Sequence, residues 1–327
     1  SGCDCYIAWL RRERPGGREP KRTGRMRIPF VKMHGAGNDY VYLDGFAIAL
    51  PPDPSRLAVR IADRHRGVGG DGLILVEPTS RAAARMRMFN ADGSEAEMCG
   101  NGVRCVAHLV VSRGHAAEGT VPIETGRGVL SLEVHRESPT LSRVKVAMGR
   151  PILEAAEVPV SIPGEAVATV VGREIPGLVP GGDWQQAAGL DPRLWAVSMG
   201  NPHAIFFCLD VAAVPLETVG PAIETHPAFP QRTNVHFVQR LSRERVRMRS
   251  WERGSGITQA CGTGASAVCV AGVLAGLTAE AITAELPGGE LVLEWVERGE
   301  VFMTGPAEEV FEGVWIESDA GGKESPT

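Results

Sequence analysis

Two cysteines of this 327-residue chain stand in matching settings, Cys99-Gly-Asn-Gly and Cys261-Gly-Thr-Gly. A short apolar stretch follows each of them, which predicts that both cysteines stand at the start of a buried helix. A helix N-terminus presents unpaired N–H groups and the positive end of the helix dipole. We therefore expect a lowered pKa for a thiol there and a place for a carboxylate. One such cysteine alone is better explained as a small buried residue, whereas a matched pair favours chemistry.

Two thiols that face each other across a cleft have a direct chemical use. One of them, as thiolate, removes the α-proton of an amino acid, and the other, as thiol, delivers a proton to the opposite face. The weakly acidic α-carbon needs strong stabilisation of the developing carbanion, which two converging helix ends around its carboxylate would supply. We therefore predict an enzyme that interconverts stereoisomers, with Cys99 and Cys261 as its acid/base pair. Cys105, Cys208 and Cys269 lie in apolar runs without adjacent glycines and are predicted to be core residues.

The two cysteine settings belong to an internal duplication. Three landmarks are separated by 33 and 28 residues in the first copy and by 33 and 27 in the second: Asn38, Asp71 and Cys99, then Asn201, Asn234 and Cys261. The pattern predicts an α+β fold of two pseudo-symmetric domains. Each domain is expected to be a mostly antiparallel sheet wrapped around a central apolar helix, with the active site in the interdomain cleft.

Domain boundaries follow from the repeat and from composition. Residues 1–25 are rich in Arg, Gly and Pro without an apolar face, so we expect a disordered N-terminal extension, and Cys3 and Cys5 in it make no metal site by themselves. We place the N-terminal domain at 26–147 and the C-terminal domain at 148–306. The segment 307–317 is expected to be a final strand that could return to the N-terminal domain, followed by a tail at 318–327.

Composition limits the function classes. The formal charge of −5 argues against a dedicated nucleic-acid surface, and no apolar run approaches the ~20 residues that span a bilayer. Seven cysteines without a regular framework favour a reducing compartment, the cytoplasm. None of the four lysines accompanies a phosphate loop, the glycine cluster at 67–72 precedes a strand, and no residues show metal-ligand spacing. We expect no cofactor and no metal; the sequence leaves the oligomeric state open, with a homodimer as one option.

Polar residues at matched strand ends and turns would surround the cleft. They are Asn38, Asn90, Asn201, Asn234, Glu252 and Arg253. Each asparagine alone is as readily a turn residue as a ligand. Arg253, fixed beside Glu252, is suited to a bidentate contact with a second carboxylate, and His203 is a candidate auxiliary to a thiolate.

Six segments, in order from about Ile28 to Gly313, resemble diaminopimelate epimerases. They are Lys32-Met-His-Gly-Ala-Gly-Asn-Asp-Tyr, Phe89-Asn-Ala-Asp-Gly-Ser, Met98-Cys-Gly-Asn-Gly-Val-Arg-Cys, Gly200-Asn-Pro-His, Arg232-Thr-Asn-Val, and Trp251-Glu-Arg-Gly through Ala260-Cys-Gly-Thr-Gly. The resemblance implies conversion of LL-diaminopimelate to the meso isomer, on the route to lysine and peptidoglycan, without a cofactor.

By the same resemblance, Cys99 and Cys261 are the acid/base pair. The reacting carboxylate would be held at Gly100, Asn101, Gly262 and Thr263, and the remaining substrate groups would be read by Asn38, Asn90, Asn201, Asn234, Glu252 and Arg253. Gly72 is a departure, because some members carry glutamine after the preceding aspartate.

Two alternatives stay open at this stage. A proline-type racemase uses the same paired thiols, although Arg253 favours a dicarboxylate over a cyclic imino acid. A redox or binding protein would instead join two facing thiols in a disulfide.

Overall fold

The computed structural model describes residues 26–97, 99–162 and 164–317. The predicted N-terminal extension and C-terminal tail therefore lie outside the described residues. None of the described helices is long and apolar enough to cross a membrane.

The first half of the described chain is built from eight strands and two helices. The strands are β1 (Met26–Gly35), β2 (Asn38–Asp44), β3 (Gly72–Glu77), β4 (Ala84–Asn90), β5 (Glu95–Ala96), β6 (Gly119–Thr125), β7 (Gly128–Arg136) and β8 (Leu141–Gly149). The helices are α1 (Pro54–Ile61) and α2 (Gly100–Ser112).

The second half repeats this order, with one further strand and one further short helix at its beginning and with a long last strand. The strands are β9 (Val171–Glu174), β10 (Arg193–Ser198), β11 (Pro202–Cys208), β12 (Asn234–Arg240), β13 (Arg245–Glu252), β14 (Gly256–Ile257), β15 (Ala281–Leu286), β16 (Gly289–Glu294) and β17 (Val301–Glu317). The helices are α3 (Trp184–Ala188), α4 (Leu216–Glu224) and α5 (Gly262–Leu274).

Each half contains two helical crossovers between parallel strands. In the first half α1 joins β2 to β3 and α2 joins β4 to β6; in the second, α4 joins β11 to β12 and α5 joins β13 to β15. Parallel neighbours require such crossovers, whereas the other pairings are antiparallel. The predicted fold, two related α+β halves with mostly antiparallel sheets, is confirmed.

The two central helices are buried as predicted, and together they share one apolar core with the inner faces of the sheets. Helices α1 and α4 were not predicted. Helix α1 buries Leu57 and Ile61, and α4 buries Leu216 and Ile223, each against the outer face of a sheet. The central strands are therefore covered on both sides, which explains their continuous apolar runs.

Strand register corrects one detail of the predicted repeat. Tyr40 of β2 pairs with Gly72, whereas His203 of β11 pairs with Asn234. Because Tyr40 and His203 occupy matching positions, Asn234 matches Gly72 and not Asp71. The first copy holds one extra residue between these two strands, which accounts for the unequal last spacing, 28 against 27 residues.

The last strand connects the halves. Its beginning pairs with β16 and with β8, and its second part pairs with β1 over Met26–His34. We propose on these pairings the division of the chain into domains at 26–147 and 148–306, with 307–317 added to the N-terminal domain.

Candidate active site

Both cysteines of the repeat are helix N-caps. Cys99 and Cys261 have extended backbone conformations and precede α2 and α5, each of 13 residues. The glycine after each cysteine is packed against the same side chain, since a Cβ at Gly100 or at Gly262 would lie 3.1 Å from an atom of Met303. The starts of the two helices are therefore close neighbours, separated in part by this methionine of β17.

One cleft of about 1220 Å³ lies at these helix starts, with walls from both halves. Ten of the predicted site residues line it: Asn38, Asn90, Cys99, Gly100, Asn101, Asn201, Glu252, Cys261, Gly262 and Thr263. A hydrogen bond from Asn101 Nδ2 to the Ala260 carbonyl, 3.4 Å, joins the two helix starts. Among the described residues, no group of His, Cys, Asp and Glu is arranged to hold a metal ion.

Three predicted residues, Asn234, Arg253 and His203, do not line the cleft. Asn234 donates to the Pro202 carbonyl at 2.8 Å and accepts from the backbone N–H of Arg253 at 3.0 Å. The guanidinium of Arg253 donates to the Gln231 carbonyl at 3.0 Å. Asn234 therefore fixes the turn that carries Arg253, and His203 lies beneath Asn201.

The Cys99 thiol is half-buried and lies among neutral donors and acceptors. Its Sγ is 3.3 Å from Asn38 Oδ1 and accepts from the Gly102 N–H at 3.4 Å. Burial raises the pKa of Cys99, while the N–H groups of Gly102 and Asn101 and the charge of Arg104 lower it. The helix start lowers the pKa of Cys99 as expected, but burial raises this pKa by more.

The Cys261 thiol is more deeply buried, at 3% exposure, and lies beside a carboxylate. Burial raises the pKa of Cys261 well above its usual range, and the adjacent Glu252 raises it further. Thr258 donates a hydrogen bond to Glu252, and burial raises the pKa of Glu252 as well. The predicted lowering of this thiol's pKa was wrong for the same reason as at Cys99, and the two thiols differ in their charged neighbours.

A chain of hydrogen bonds fixes the amide of Asn201. His203 Nε2 is 3.0 Å from Asn201 Oδ1, His203 Nδ1 is 2.9 Å from His236 Nε2, and His236 Nδ1 is 2.8 Å from Ser250 Oγ. Burial lowers the pKa of His203 well below its usual range and that of His236 to about 3, so both rings are neutral. Each neutral ring donates once, and the amide oxygen only accepts, so Ser250 donates to His236, His236 to His203, and His203 to Asn201.

This direction leaves the Asn201 NH₂ group pointing into the cleft, where it lies 3.4 Å from Thr263 Oγ1. Both nitrogens of His203 are occupied by His236 and Asn201. The geometry thus gives His203 a part in orienting Asn201, and no contact with a thiol.

Two cationic residues that line the cleft were missed at the sequence level. Arg64 forms ion pairs with Asp39 at 2.7 Å and with Asp71 at 3.0 Å. Asp71 also accepts from Asn38 at 2.6 Å, so this network orients the amide next to Cys99. Arg127 is an exposed residue of the Gly-Arg-Gly turn between β6 and β7. This arginine between two glycines in a tight hairpin was the one feature of the sequence that could have indicated its role.

The halves touch through two related contacts beside the cleft. A Cβ at Gly288, in the β15–β16 turn, would lie 2.2 Å from the Ala36 carbonyl oxygen. In the matching contact, a Cβ at Gly200 would lie 3.0 Å from the guanidinium of Arg127. In one contact the β15–β16 turn packs against the β1–β2 turn, and in the other the β6–β7 turn packs against the β10–β11 turn. In both cases the hairpin that follows the central helix of one half contacts the first hairpin of the other half.

The sequence profile described as diaminopimelate epimerase matches residues 30–154 and 195–310 of this chain. The chain belongs to the diaminopimelate epimerase family. A diaminopimelate epimerase of Pelotomaculum thermopropionicum is 49% identical over 285 residues, covering 87% of this chain and 97% of the relative. That of Desulforudis audaxviator is 48% identical, covering 88% and 99%.

Solved structures that are more distant in sequence share the fold. A phenazine biosynthesis protein of the PhzF family from Bacillus anthracis superposes with a TM-score of 0.62 at 17% identity, covering 89% of this chain and 99% of its own. A hydroxyproline epimerase from Agrobacterium vitis gives a TM-score of 0.57 at 14% identity, covering 91% and 94%. At these identities the likeness shows the fold alone.

Proposed function

We propose that this member of the diaminopimelate epimerase family interconverts LL- and meso-diaminopimelate by proton transfer between two thiols. The family makes it an isomerase, an amino-acid epimerase. The observation that carries the two-thiol proposal is that Cys99 and Cys261, N-caps of two repeat-related helices, line one cleft. In the proposed reaction both proton transfers are made by the two thiols, and no step uses a cofactor.

In the proposed reaction the α-carboxylate lies between the starts of α2 and α5. The backbone N–H groups at Gly100, Asn101, Gly262 and Thr263 bind it, because the first N–H groups of a helix have no partner within the helix. The same donors stabilise the carbanion as charge spreads onto the carboxylate. One sulfur takes the α-proton as the other gives its proton to the opposite face, so the number of protons on the enzyme does not change.

We assign the recognition of the remaining substrate groups to polar residues of both halves. Asn38, Asn90, Asn201 and Glu252 line the cleft, which supports their role. Asn234 and Arg253 would act together, since Asn234 holds the turn on which Arg253 stands. The Arg253 guanidinium would leave the Gln231 carbonyl to meet the distal carboxylate.

The test is incorporation of solvent deuterium at the α-carbon of LL-diaminopimelate, measured on reduced protein without added pyridoxal phosphate or metal. Label should appear in the meso product. Cys99→Ala and Cys261→Ala should each lower the rate of interconversion by at least ~100-fold, because each removes one general acid/base. Cys208→Ala, a thiol of β11 outside the cleft lining, is the matched control.

Absence of exchange in the wild-type protein would contradict the assigned substrate. Exchange with proline or hydroxyproline instead would support a proline-type racemase. No turnover of any amino acid, together with a reversible disulfide between the two thiols, would support the redox alternative.

The cellular setting is part of the proposal. We place the enzyme in lysine and peptidoglycan synthesis and in the cytoplasm, where the reducing environment keeps the two thiols free. The five cysteines of the described residues are all unpaired, which agrees with this setting. A homodimer is the proposed assembly, and a molar mass from light scattering tests it.

A further inference from the structure

The central helix of the first half contains a fully buried arginine. Arg104 of α2 is 0% exposed and belongs to the apolar core between the helix and β17. Its Nε donates to the Pro306 carbonyl at 3.3 Å, and its Nη1 donates to the Gly100 carbonyl at 3.3 Å. Its Nη2 has no partner among the described residues.

This cation has no carboxylate beside it in the part of the chain that the structure describes. The groups of opposite charge that act on it are Cys99, Cys105 and Tyr42. Cys105 and Tyr42 are fully buried, whereas Cys99 is partly exposed and is the one of the three that lines the cleft, where its proton can be exchanged. A buried charge is stable only when it is compensated, and Cys99 is therefore the group placed to compensate Arg104.

The duplication supplies an internal comparison. Position 104 in the first copy corresponds to Ser266 in the second, and the Ser266 hydroxyl donates to the Gly262 carbonyl at 2.9 Å. Arg104 and Ser266 thus satisfy the same carbonyl at the start of their helices, but one carries a charge and the other does not. At a second matched pair the charge is in the other copy and is negative. Asn90 of the first copy is neutral, whereas the corresponding Glu252 of the second copy is a carboxylate beside Cys261.

The two helix starts are therefore alike in backbone and unlike in charge. A cation supports the helix start of Cys99, and an anion lies next to Cys261. The charged or titratable groups that interact with Cys99 are Arg104 and Cys105 of α2, Tyr40 and Tyr42 of β2, and Glu252 of β13. Arg64 lines the same cleft, but it is paired with Asp39 and Asp71. Arg104 is the cation among the groups that act on Cys99 directly.

We propose that Arg104 is a positioning residue that makes Cys99, and not Cys261, the first of the two thiols to lose its proton. This inference rests on the proposed function and deepens it. The enzyme without substrate would carry its negative charge on Cys99 and its remaining proton on Cys261, next to Glu252. It would therefore be ready to take a proton from the face of the substrate that Cys99 meets.

The experiment follows alkylation of each thiol by iodoacetamide between pH 6 and 10, in the full, reduced chain without substrate. Peptide mass spectrometry measures the alkylation of Cys99 and of Cys261 separately. The pH midpoints of the two rates are compared, and not the rates themselves, because a difference in accessibility changes the rate but not its midpoint. The Cys99 midpoint should lie at least ~1 pH unit below that of Cys261, a tenfold difference in thiolate fraction.

Substitutions at the two matched positions isolate the charge. Arg104→Gln keeps a donor but removes the charge, and should raise the Cys99 midpoint by about one unit and slow its alkylation at pH 7 about tenfold. Arg104→Lys should keep the order of the two thiols, and Ser266→Ala should move neither midpoint.

A lower midpoint at Cys261 than at Cys99 in the wild-type protein would overturn the proposal, and this result requires no variant to fold. An unchanged Cys99 midpoint in a folded Arg104→Gln protein would overturn it as well. Because the titration uses no substrate, its outcome is independent of turnover. A protein with the expected midpoints that does not epimerise diaminopimelate would contradict the proposed function alone.

Discussion

At the scale of single residues, the site depends on side chains whose protonation is set by burial. His203 and His236 are both fully buried, and the hydrogen bond between them requires an unprotonated acceptor nitrogen on one of the two rings. The orientation of Asn201 toward the cleft therefore depends on two histidines that stay uncharged at neutral pH. Charging His203 would remove the acceptor that faces His236 and leave two N–H donors opposed, and charging His236 would reverse its hydrogen bond with Ser250.

This neutrality predicts how stability depends on pH. The unfolded chain binds protons at these histidines near pH 6.5, whereas the folded pKa of His236 is about 3. The unfolded state therefore binds more protons than the folded state between these two pH values. The free energy of unfolding is thus not reduced by these histidines above pH 6.5. It should fall as the pH drops, by up to about 1.4 kcal/mol per pH unit for each histidine.

In His236→Gln the free energy of unfolding should fall less steeply with decreasing pH, by about 1.4 kcal/mol per pH unit, which corresponds to one proton. The reason is that one titrating ring is removed while a donor to His203 is kept. Urea unfolding at pH 7.5, 6.0 and 5.0 measures this pH dependence, with His135→Gln at an exposed position as the control. An equal slope in wild-type protein and the His236 variant would contradict the neutral chain.

The sequence located the reactive residues better than the residues that support them. The paired Cys-Gly motifs predicted both helix starts, because an N-cap and its glycines are local features. Arg104 was visible as one charge in an apolar stretch, but its lack of a counterion depends on strand β17, some 200 residues away. Tertiary contacts of this kind have no local signature.

At the scale of elements, the start of α5 is packed more tightly than that of α2. A Cβ at Gly264 would lie 2.3 Å from Cε1 of His236 and 3.0 Å from Cys261 Sγ. A Cβ at the matching Gly102 would meet Cδ1 of Ile74 at 2.8 Å and Cε of Met86 at 3.2 Å. The latter atoms end flexible side chains, whereas the His236 ring is held by hydrogen bonds on both sides.

Gly264→Ala should therefore destabilise the protein by about 1–3 kcal/mol and lower kcat more than tenfold, because the ring or the thiol must move. Gly102→Ala should have the smaller effect on both quantities. Chemical denaturation and initial rates on the two variants measure the difference. Equal losses in the pair would show that the His236 contact does not restrict this helix start.

Elements outside the repeat motifs were harder to predict. Helix α1 was missed although Asp53 caps its start and Pro54 is its first residue, a pattern that is visible in the sequence. Helix α4 has no side-chain cap and contains Pro221, so its local sequence does not indicate a helix. Position 234 was matched to Asp71 because a one-residue insertion between strands is invisible without strand register.

At the scale of the whole molecule, the cleft is bounded by the two contacts between hairpin turns. The contact of Gly288 with Ala36 has no space for a side chain, whereas the related contact already contains the Arg127 side chain against Gly200. The two contacts therefore set the separation of the halves in different ways.

Gly288→Ala should push the halves apart, since its Cβ would overlap a backbone oxygen that has no rotamer to adopt. We expect kcat/KM for diaminopimelate to fall at least tenfold, with a displacement of about 1 Å sufficient for such a loss. Arg127→Ala, the matched change, removes a side chain without creating overlap and should reduce kcat/KM less. The opposite ranking would assign Arg127 to substrate binding and not to the spacing of the halves.

The duplication has a consequence for handedness. The approximate twofold axis that exchanges the halves also exchanges the two faces of an α-carbon held between them, so it turns the forward reaction into its reverse. A chain made of two identical copies would treat left- and right-handed centres alike. The means to tell them apart reside where the copies have diverged, at the pairs Arg104 and Ser266, Asn90 and Glu252, and Tyr40 and His203.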